Sequence, residues 1–248
     1  MKAKCAVLIF MVSGLLLSGP VVYAASADHA LYASLLSRHV KNGLVDYRGV
    51  KDDEALLDQY LDVLAAVDPE SLTADRQFAF YANAYNAWTI KLILSRYPEI
   101  QSIKELGSLF KSPWKKKIAR IDGDLLTLDQ IEHDILRKRF KDARVHFAVN
   151  CASKSCPPLQ GEPFSGDRLD QQLNHAARAF INDARFNRLE GDTLWVSKIF
   201  DWFAQDFNND VIGYFIQFAD PPLADQLVKN KARIRVRYLD YDWTLNGK

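Results

Sequence analysis

The sequence has few cysteines, few long apolar runs and no excess of charge of either sign. Each of these features excludes some classes of protein. It has 3 cysteines in 248 residues, and a core of this length needs no disulfide staples. Its 32 basic residues are matched by 31 acidic ones, for a net charge of +1. We therefore expect no nucleic-acid-binding surface. Beyond the N-terminus, no apolar run is long enough to predict a membrane span.

The first 24 residues are typical of an export signal. Two lysines precede the apolar run Ala6 to Leu17, which is too short to cross a bilayer. Small side chains predict cleavage after Ala24, and cleavage would remove Cys5 with the signal. We expect residues 25–248 to be a single periplasmic or secreted domain, in a compartment where disulfides persist. The alternative is that residues 6–23 remain as an uncleaved anchor.

The apolar patterns predict an α+β domain built around one central helix. The segment Thr73 to Tyr97 is apolar on nearly all faces between Phe78 and Leu94, which predicts a helix buried on most sides. The turn sequences Asp122-Gly123 and Glu190-Gly191-Asp192 lie between β-type runs and predict hairpins. Helical periodicity also occurs in segments 28–40, 52–67, 128–139, 169–181, 198–207 and 208–219, and alternation predicts a strand over 233–239. We expect the central helix to pack against a mainly antiparallel sheet.

The stretch Val145 to Leu159 concentrates the reactive side chains. It contains His146 and both cysteines of the mature chain, Cys151 and Cys156. Residues 144–149 are apolar and mostly β-branched or aromatic, which predicts a buried strand. Along a strand, His146 and Cys151 would point to opposite faces, whereas the following loop would let Cys156 return toward either.

Three interpretations of this stretch are open. A Cys151–Cys156 disulfide is geometrically allowed, because a four-residue loop lets the two Cα atoms approach to about 5.5 Å. Alternatively, one of the two thiols is a nucleophile activated by His146 or by another histidine. The third is a metal site formed by both cysteines and a histidine, although the spacing is looser than is usual for zinc. We assign no metal and no cofactor.

Polar residues in two helices add further candidates. Asn83 and Asn86 share one face of the central helix, where an unpartnered buried amide costs on the order of 1–3 kcal/mol. They either cap neighbouring loops or line a polar pocket. Glu132 and His133 are adjacent, so about 100° of helix rotation separates them and at most one should point squarely into a given pocket. His133 is either structural or a candidate base.

With these residues in place, the chain resembles the family called domain of unknown function 547, DUF547. The resemblance rests on six motifs in order along the chain, namely VDYRGV at Val45, FYANAYNAWTIKLIL at Phe80, LDQIEHDILR at Leu128, VHFAVNCASKSCPPL at Val145, VSKIFDWFAQDF at Val196 and YDWTLN at Tyr241. It implies an exported bacterial protein and states no activity. The resemblance also marks the polar residues within these motifs as candidates for a functional site, namely Asn83, Tyr85, Asn86, Glu132, His133, His146, Cys151 and Cys156.

By analogy only, the chain also has a looser similarity to the papain and transglutaminase type of cysteine hydrolase, which combines a buried central helix with an antiparallel sheet. The central helix here has Asn83 and Asn86 where that type has its nucleophilic cysteine. Any thiol chemistry must therefore come from the loop after residue 149. Fold analogy does not establish function.

Two hypotheses of function follow from these residues. In the first, Cys151 or Cys156 attacks an amide or thioester, and His146 or His133 takes the thiol proton. Glu132 then orients an imidazole, while Asn83, Asn86 and Tyr85 form the substrate-binding set, with an asparagine as oxyanion donor. In the second, the chain is a non-catalytic binding or scaffolding protein for a small molecule or peptide, with a structural disulfide. Neither hypothesis includes nucleic acid or a membrane span as a partner.

Overall fold

A central buried helix organises the fold, as its apolar pattern predicts. The structure is a computed structural model and describes residues 28–108 and 111–247. The expected signal peptide, residues 1–24, lies outside the described residues. The central helix spans Ala74–Leu94, and Phe78 to Ala87 are buried without interruption. Because nearly every face is covered, this helix has neighbours on all sides.

The helices and strands follow the predicted order with some additions. The helices are α1 (Ala30–His39), α2 (Tyr47–Asp52), α3 (Glu54–Ala65), α4 (Ala74–Leu94), a π-helix (Gln130–Phe140), α5 (Val145–Ala148), α6 (Leu169–Ile181), α7 (Ile199–Trp202), α8 (Val211–Phe218) and α9 (Pro221–Asn230). Short 3-10 turns occupy Pro69–Ser71, Ile103–Leu106, Pro113–Lys115, Gly166–Arg168 and Ala204–Phe207. The strands are β1 (Val40–Lys41), β2 (Leu44–Val45), β3 (Lys117–Ile121), β4 (Asp124–Thr127), β5 (Arg188–Glu190), β6 (Thr193–Val196) and β7 (Arg235–Tyr238).

The β-structure is divided among three small sheets. Strands β1 and β2, β3 and β4, and β5 and β6 form antiparallel pairs, while β7 adds to β6 in parallel. The predicted turn at Asp122-Gly123 is confirmed, and both residues have the positive φ values, 48° and 78°, that a tight hairpin turn requires. The α+β class of the domain is therefore confirmed, with short strands distributed around a mainly helical body.

Two hydrophobic clusters meet at the short helix α5. The first surrounds α4 and includes Val145 and Ala148, whereas the second is rich in phenylalanine and includes Phe147. In the second cluster the Phe147 ring lies 5.4 Å from the Phe180 ring, centroid to centroid. Helix α5 therefore joins the two clusters, with His146 at their boundary.

The prediction of a strand over residues 144–149 is wrong. Val145–Ala148 is helical, and the chain becomes extended only at Val149 (φ −96°, ψ 137°). The Asp142 carboxylate accepts a hydrogen bond from the Arg144 amide at 2.9 Å, which favours the preceding turn. A short run buried on all sides has no periodicity that separates helix from strand. As a result, strand alternation does not turn His146 away from Cys151.

Candidate functional site

A cavity of about 210 Å³ brings together six of the predicted site residues. Its lining includes Tyr85, Glu132, His133, His146, Cys151 and Cys156. These residues come from α4, the π-helix, α5 and the loop after α5. Side chains separated by up to 71 positions in the chain therefore share one small space, which is the arrangement that a catalytic or binding site needs.

The cysteine loop is built on buried asparagine side chains. Asn86 accepts a hydrogen bond from the Asn150 amide at 2.8 Å and donates to the Ala148 carbonyl at 2.9 Å. Asn150 in turn accepts from the Ala152 amide at 2.9 Å and donates to the Pro157 carbonyl at 2.8 Å. These bonds hold Ala152 at a positive φ of 62°, a conformation that costs a non-glycine residue roughly 1–3 kcal/mol. The backbone beside Cys151 is therefore fixed in an unusual geometry.

The C-terminal segment 241–247 closes over the same loop. The amides of Lys154 and Ser155 donate to the carbonyls of Thr244 and Asp242, at 2.8 and 3.2 Å. The Asn246 side chain donates to the Asn150 side chain at 3.1 Å. The far end of the chain is therefore part of the framework that positions Cys151.

Asn83 and Asn86 lie beside this framework and do not border the cavity. Asn83 accepts from the Phe164 amide at 2.9 Å and donates to the Phe164 carbonyl at 2.8 Å. The side-chain amides of Asn83 and Asn86 both form hydrogen bonds with backbone groups of neighbouring loops, as expected if they cap those loops. Neither is placed to donate to a substrate in this cavity.

The two cysteines are free thiols in this structure. The Cys151 amide donates to the Cys156 sulfur at 2.9 Å. The Cys151 sulfur itself lies 3.1 Å from the Ser153 hydroxyl and 3.2 Å from the Tyr241 hydroxyl. Cys151 is half-buried and Cys156 is buried. Of the two sulfurs, Cys151 is the more accessible from the cavity.

The surroundings also make Cys151 the more acidic thiol. Burial alone would raise the pKa of Cys151, but hydrogen bonds from Cys156, Ser153 and Tyr241 outweigh burial and lower it below its usual value. Burial and the neighbouring Cys151 raise the pKa of Cys156 well above the usual value. The first proton lost from this pair therefore comes from Cys151, and its thiolate is the stronger candidate nucleophile.

His146 forms a pair with a carboxylate that the sequence analysis did not identify. Its Nε2 lies 2.7 Å from Oδ2 of Asp206, which also accepts from Nε of Arg137 at 2.7 Å. A carboxylate only accepts, so Nε2 of His146 carries the proton and Nδ1 is left with the lone pair. Burial lowers the pKa of His146 despite the raising effect of Asp206, so the ring is neutral at pH 7. The bonds from His146 and Arg137 hold the pKa of Asp206 far below its usual range.

His133 also contacts Arg137. Nη1 of Arg137 lies 3.1 Å from Nδ1 of His133, and arginine can only donate. Nδ1 is therefore the acceptor, and the ring proton is on Nε2, which lies 4.0 Å from Oδ1 of Asp129. Glu132 and His133 both border the cavity, although adjacent helical residues usually diverge. They belong to a π-helix, whose wider turn reduces the angle between neighbours.

Glu132 and Tyr85 complete the inner wall of the cavity. Glu132 is 9% exposed and is hydrogen-bonded by the Tyr85 hydroxyl. Burial, with the neighbouring charge of Glu132, raises the pKa of Tyr85 well above its usual value. Tyr85 therefore keeps its proton and acts as a donor. We call Tyr85, Glu132, His146, Cys151 and Cys156 the polar floor.

Another part of the cavity lining is aromatic. We call Trp114, Trp202, Tyr241 and Trp243 the aromatic rim. Ring centroids lie 4.8 Å apart for Trp202 and Tyr241, 4.5 Å for Tyr241 and Trp243, and 5.8 Å for Trp114 and Trp243. Trp202 is 45% exposed. The rim therefore offers open aromatic surface next to the polar floor.

Sequence reasoning missed Asp206 and the aromatic rim. The sequence analysis assigned no role to Trp202, Asp206 or Tyr241. These residues could have been singled out because they belong to the motifs VSKIFDWFAQDF and YDWTLN. The motifs were used for the family resemblance, but their residues were not considered one by one. Within residues 28–108 and 111–247, the structure contains no group of three or more potential metal ligands. In the same ranges, no helix combines the length and the hydropathy required to cross a bilayer.

Comparison with known proteins returns a family and no activity. Residues 69–181 match the sequence model of a family described as "Protein of unknown function, DUF547". Neither a curated protein nor a solved structure matches the chain. The matched range contains His133, His146 and both cysteines, and it ends before Asp206 and most of the aromatic rim.

Proposed function

Because this chain belongs to the DUF547 family, matched over residues 69–181, and the family description states no activity, we propose a function from the cavity itself. The proposal is thiol-dependent acyl chemistry, either hydrolysis or transfer, on an amide or thioester. One observation carries it: an acidified thiol borders the same small cavity as the His146 imidazole, which is hydrogen-bonded to the Asp206 carboxylate. A nucleophile and an oriented base in one cavity are the minimum equipment for this chemistry.

Cys151 is the nucleophile in this proposal. Cys151 borders the cavity, and its sulfur lies within hydrogen-bond distance of the Ser153 and Tyr241 hydroxyls, which can donate to a thiolate. Donors of this kind stabilise a thiolate more than a thiol, because a charged acceptor forms the stronger bond. Cys156 supports Cys151 and stays protonated.

His146 is the base. Asp206 fixes the ring through Nε2, and this leaves Nδ1 as the only ring nitrogen able to accept a proton. The Phe203 ring stacks on the imidazole at 4.1 Å, centroid to centroid, and limits its rotation. Arg137 holds Asp206 from the other side. Asp206 and Arg137 therefore act as positioning residues.

The reaction proceeds in two steps. Nδ1 of His146 first takes the thiol proton of Cys151. The resulting thiolate bonds to the acyl carbon, the bond to the amine or thiol leaving group breaks, and the leaving group takes that proton from Nδ1. This gives a thioester on Cys151. A water or another acceptor then gives its proton to His146 and attacks the thioester, and the acyl product departs as the Cys151 thiolate is restored.

Acylation by p-nitrophenyl acetate tests the proposal without knowledge of the natural substrate. We expect the protein to release p-nitrophenolate and to gain one acetyl group on Cys151, located by peptide mass spectrometry. Cys151→Ser should abolish this modification, and His146→Gln should slow it on the order of 10²–10⁴-fold. Cys156→Ser serves as the matched control and should remain acylated. Acetylation that survives in Cys151→Ser would refute the proposal.

A second candidate function is reversible binding of a small molecule or peptide without chemistry. The aromatic rim favours it, because exposed tryptophan surface beside a cavity is typical of ligand sites. Thiol titration of unreduced protein separates the two candidates. Two reactive thiols support the enzyme, whereas a full disulfide supports the binding protein, with a repeat after mild reduction to detect a cycling disulfide.

We further propose that the protein is exported to the periplasm or secreted. The support is the charge and hydropathy pattern of residues 1–24. Expression of the full chain followed by N-terminal sequencing of the extracytoplasmic fraction should give a start at Ala25. A start at Met1 in the membrane fraction would instead support an uncleaved anchor.

A further inference from the structure

We propose that the ligand of this cavity carries an aliphatic ammonium group, recognised by Glu132 and the aromatic rim together. The inference deepens the proposed function, since it names the substrate class of the same site. The inference rests on the proposed function only in that it takes the same cavity to be the site of the reaction. The binding argument depends on the charges and rings that border the cavity.

The first step is that the charge of Glu132 is not neutralised by the protein. Within the described residues no lysine or arginine lies within 4.0 Å of its carboxylate, and the only basic ring that near is His133, with Nδ1 at 3.8 Å. Nδ1 of His133 already accepts from Arg137, so it has no proton to offer Glu132. Tyr85 donates a hydrogen bond but no charge. A carboxylate buried this deeply is normally paired with a cation.

The second step is the overall charge of the cavity wall. Asp129 and Glu132 both border the cavity, and neither lysine nor arginine does. Arg137 is the nearest guanidinium, but it is bound by two hydrogen bonds to Asp206. Because a low-dielectric wall strengthens the field of unpaired charges, two carboxylates make this cavity attractive to cations.

The third step is the aromatic rim, which suits a cation that bears carbon substituents. An ammonium group near the face of a tryptophan or tyrosine ring is attracted to the ring's negative face by roughly 0.5–2 kcal/mol, most strongly where water is excluded. The molecule already contains one such contact, since Nζ of Lys104 lies 3.9 Å from the centroid of the Trp243 ring. Trp202 is 45% exposed and has ring surface available for a ligand.

Choline and 3,3-dimethyl-1-butanol are the probes for a direct test, since they match in shape and differ in charge. Binding is measured by tryptophan fluorescence and by calorimetry in the Cys151→Ser protein, where no acyl transfer through that thiol can occur. We expect choline to bind at least about 10-fold more tightly than the neutral alcohol. Equal affinity for the two probes, or no binding of choline, would overturn the inference.

Two variants assign the effect to the named groups. Glu132→Gln should weaken choline binding about 10-fold and leave the neutral alcohol unaffected, while Asp134→Asn, an equal charge change at an exposed position of the same helix, should leave both unchanged. Trp202→Ala replaces a half-exposed ring and should weaken choline alone, so the test does not depend on the folding of the Glu132 variant. Choline binding unaffected by both cavity substitutions would overturn the assignment. The acetylation of Cys151 is measured separately, so each proposal can fail while the other stands.

Discussion

The polar floor and the aromatic rim line the same cavity but are held in different ways. In the floor, Tyr85, His146 and Cys156 are at most 6% exposed, and the loop behind them is tied by hydrogen bonds of buried asparagines. In the rim, Trp202 is 45% exposed and is held by contacts with other rings. The floor is therefore held by burial and directed hydrogen bonds, whereas the rim is held mainly by contacts between rings.

The largest loss of stability is expected when the Asn150 side chain, which supports the loop behind the polar floor, is removed. Asn150→Ala leaves the Ala152 amide and the Pro157 carbonyl without their partners, so we expect the free energy of unfolding to fall by about 3 kcal/mol. Urea unfolding measures the change. Asn174→Ala removes an exposed bond to Asp170 and one from Arg144, but Arg144 keeps its bonds to Asp142 and Asp170, so the cost should be about 1 kcal/mol or less. Equal losses in the two variants would contradict a buried framework under the cysteine loop.

Tyr241 belongs to the aromatic rim, but its hydroxyl contacts the Cys151 sulfur of the polar floor. A substitution of Tyr241 therefore tests how far the rim affects the floor. Tyr241→Phe removes a hydroxyl that lies 3.2 Å from the Cys151 sulfur and lowers the pKa of that thiol, so the substitution should raise this pKa. The pH dependence of alkylation by iodoacetamide measures the shift. Tyr238→Phe, in β7, is the control and should leave the profile unchanged. An unshifted profile for Tyr241→Phe would show that this hydroxyl does not stabilise the thiolate.

The pH dependence of stability isolates His146 within the floor. Burial lowers its pKa in the folded protein below 6.5, so the unfolded chain takes up the proton first as pH falls. Stability from this residue is therefore full above pH 6.5 and is lost as pH drops toward the folded pKa, by at most about 1.4 kcal/mol per pH unit. His146→Gln should flatten the fall between pH 7 and 5. His175→Gln, at an exposed position, should keep the wild-type slope, and a common slope in all three proteins would exclude His146 as its source.

The smallest effect on stability is expected in the rim. Trp202→Ala should lower the free energy of unfolding by less than about 1 kcal/mol, because nearly half of the residue is already in water. Phe200→Ala, two positions earlier in α7 and fully buried, should cost about 3–5 kcal/mol. Chemical denaturation of both variants gives the comparison. If the Trp202 variant lost as much as the Phe200 variant, the rim would be part of the core.

Long elements could be predicted from the sequence because their patterns repeat. Helix α4 was expected over 73–97 and spans Ala74–Leu94, since an apolar run of this length fits no strand. Helix α5 could not be recognised, because its four residues are shorter than the period that would identify them. Helix α9 was not predicted, although Pro221 and Pro222 occupy its first two positions, where proline is well tolerated.

Only part of the candidate site could be recognised from the sequence, because some of its residues stand out by residue type and others do not. Cys151, Cys156 and His146 stand out by residue type alone, and the structure brings them to one cavity. Asp206 lies 60 positions from His146, on a short turn with no local pattern that separates it from a surface aspartate. Asn86 was recognised as a buried polar residue, but its partner, the Asn150 amide, depended on how the later loop would fold.

The closing of segment 241–247 over the cysteine loop has a consequence for how this protein should be handled. A fragment cut to the matched range, 69–181, would retain both sulfurs and both imidazoles of the cavity, yet it would lack Asp206, Trp202, Tyr241 and Trp243. Such a fragment would lose the Tyr241 hydroxyl that helps to lower the pKa of Cys151, and the carboxylate that orients the His146 ring. Even an affinity tag fused directly after Gly247 would sit next to the β-bridge between this segment and Val45, so purification handles are better placed at the other terminus, behind the expected cleavage point.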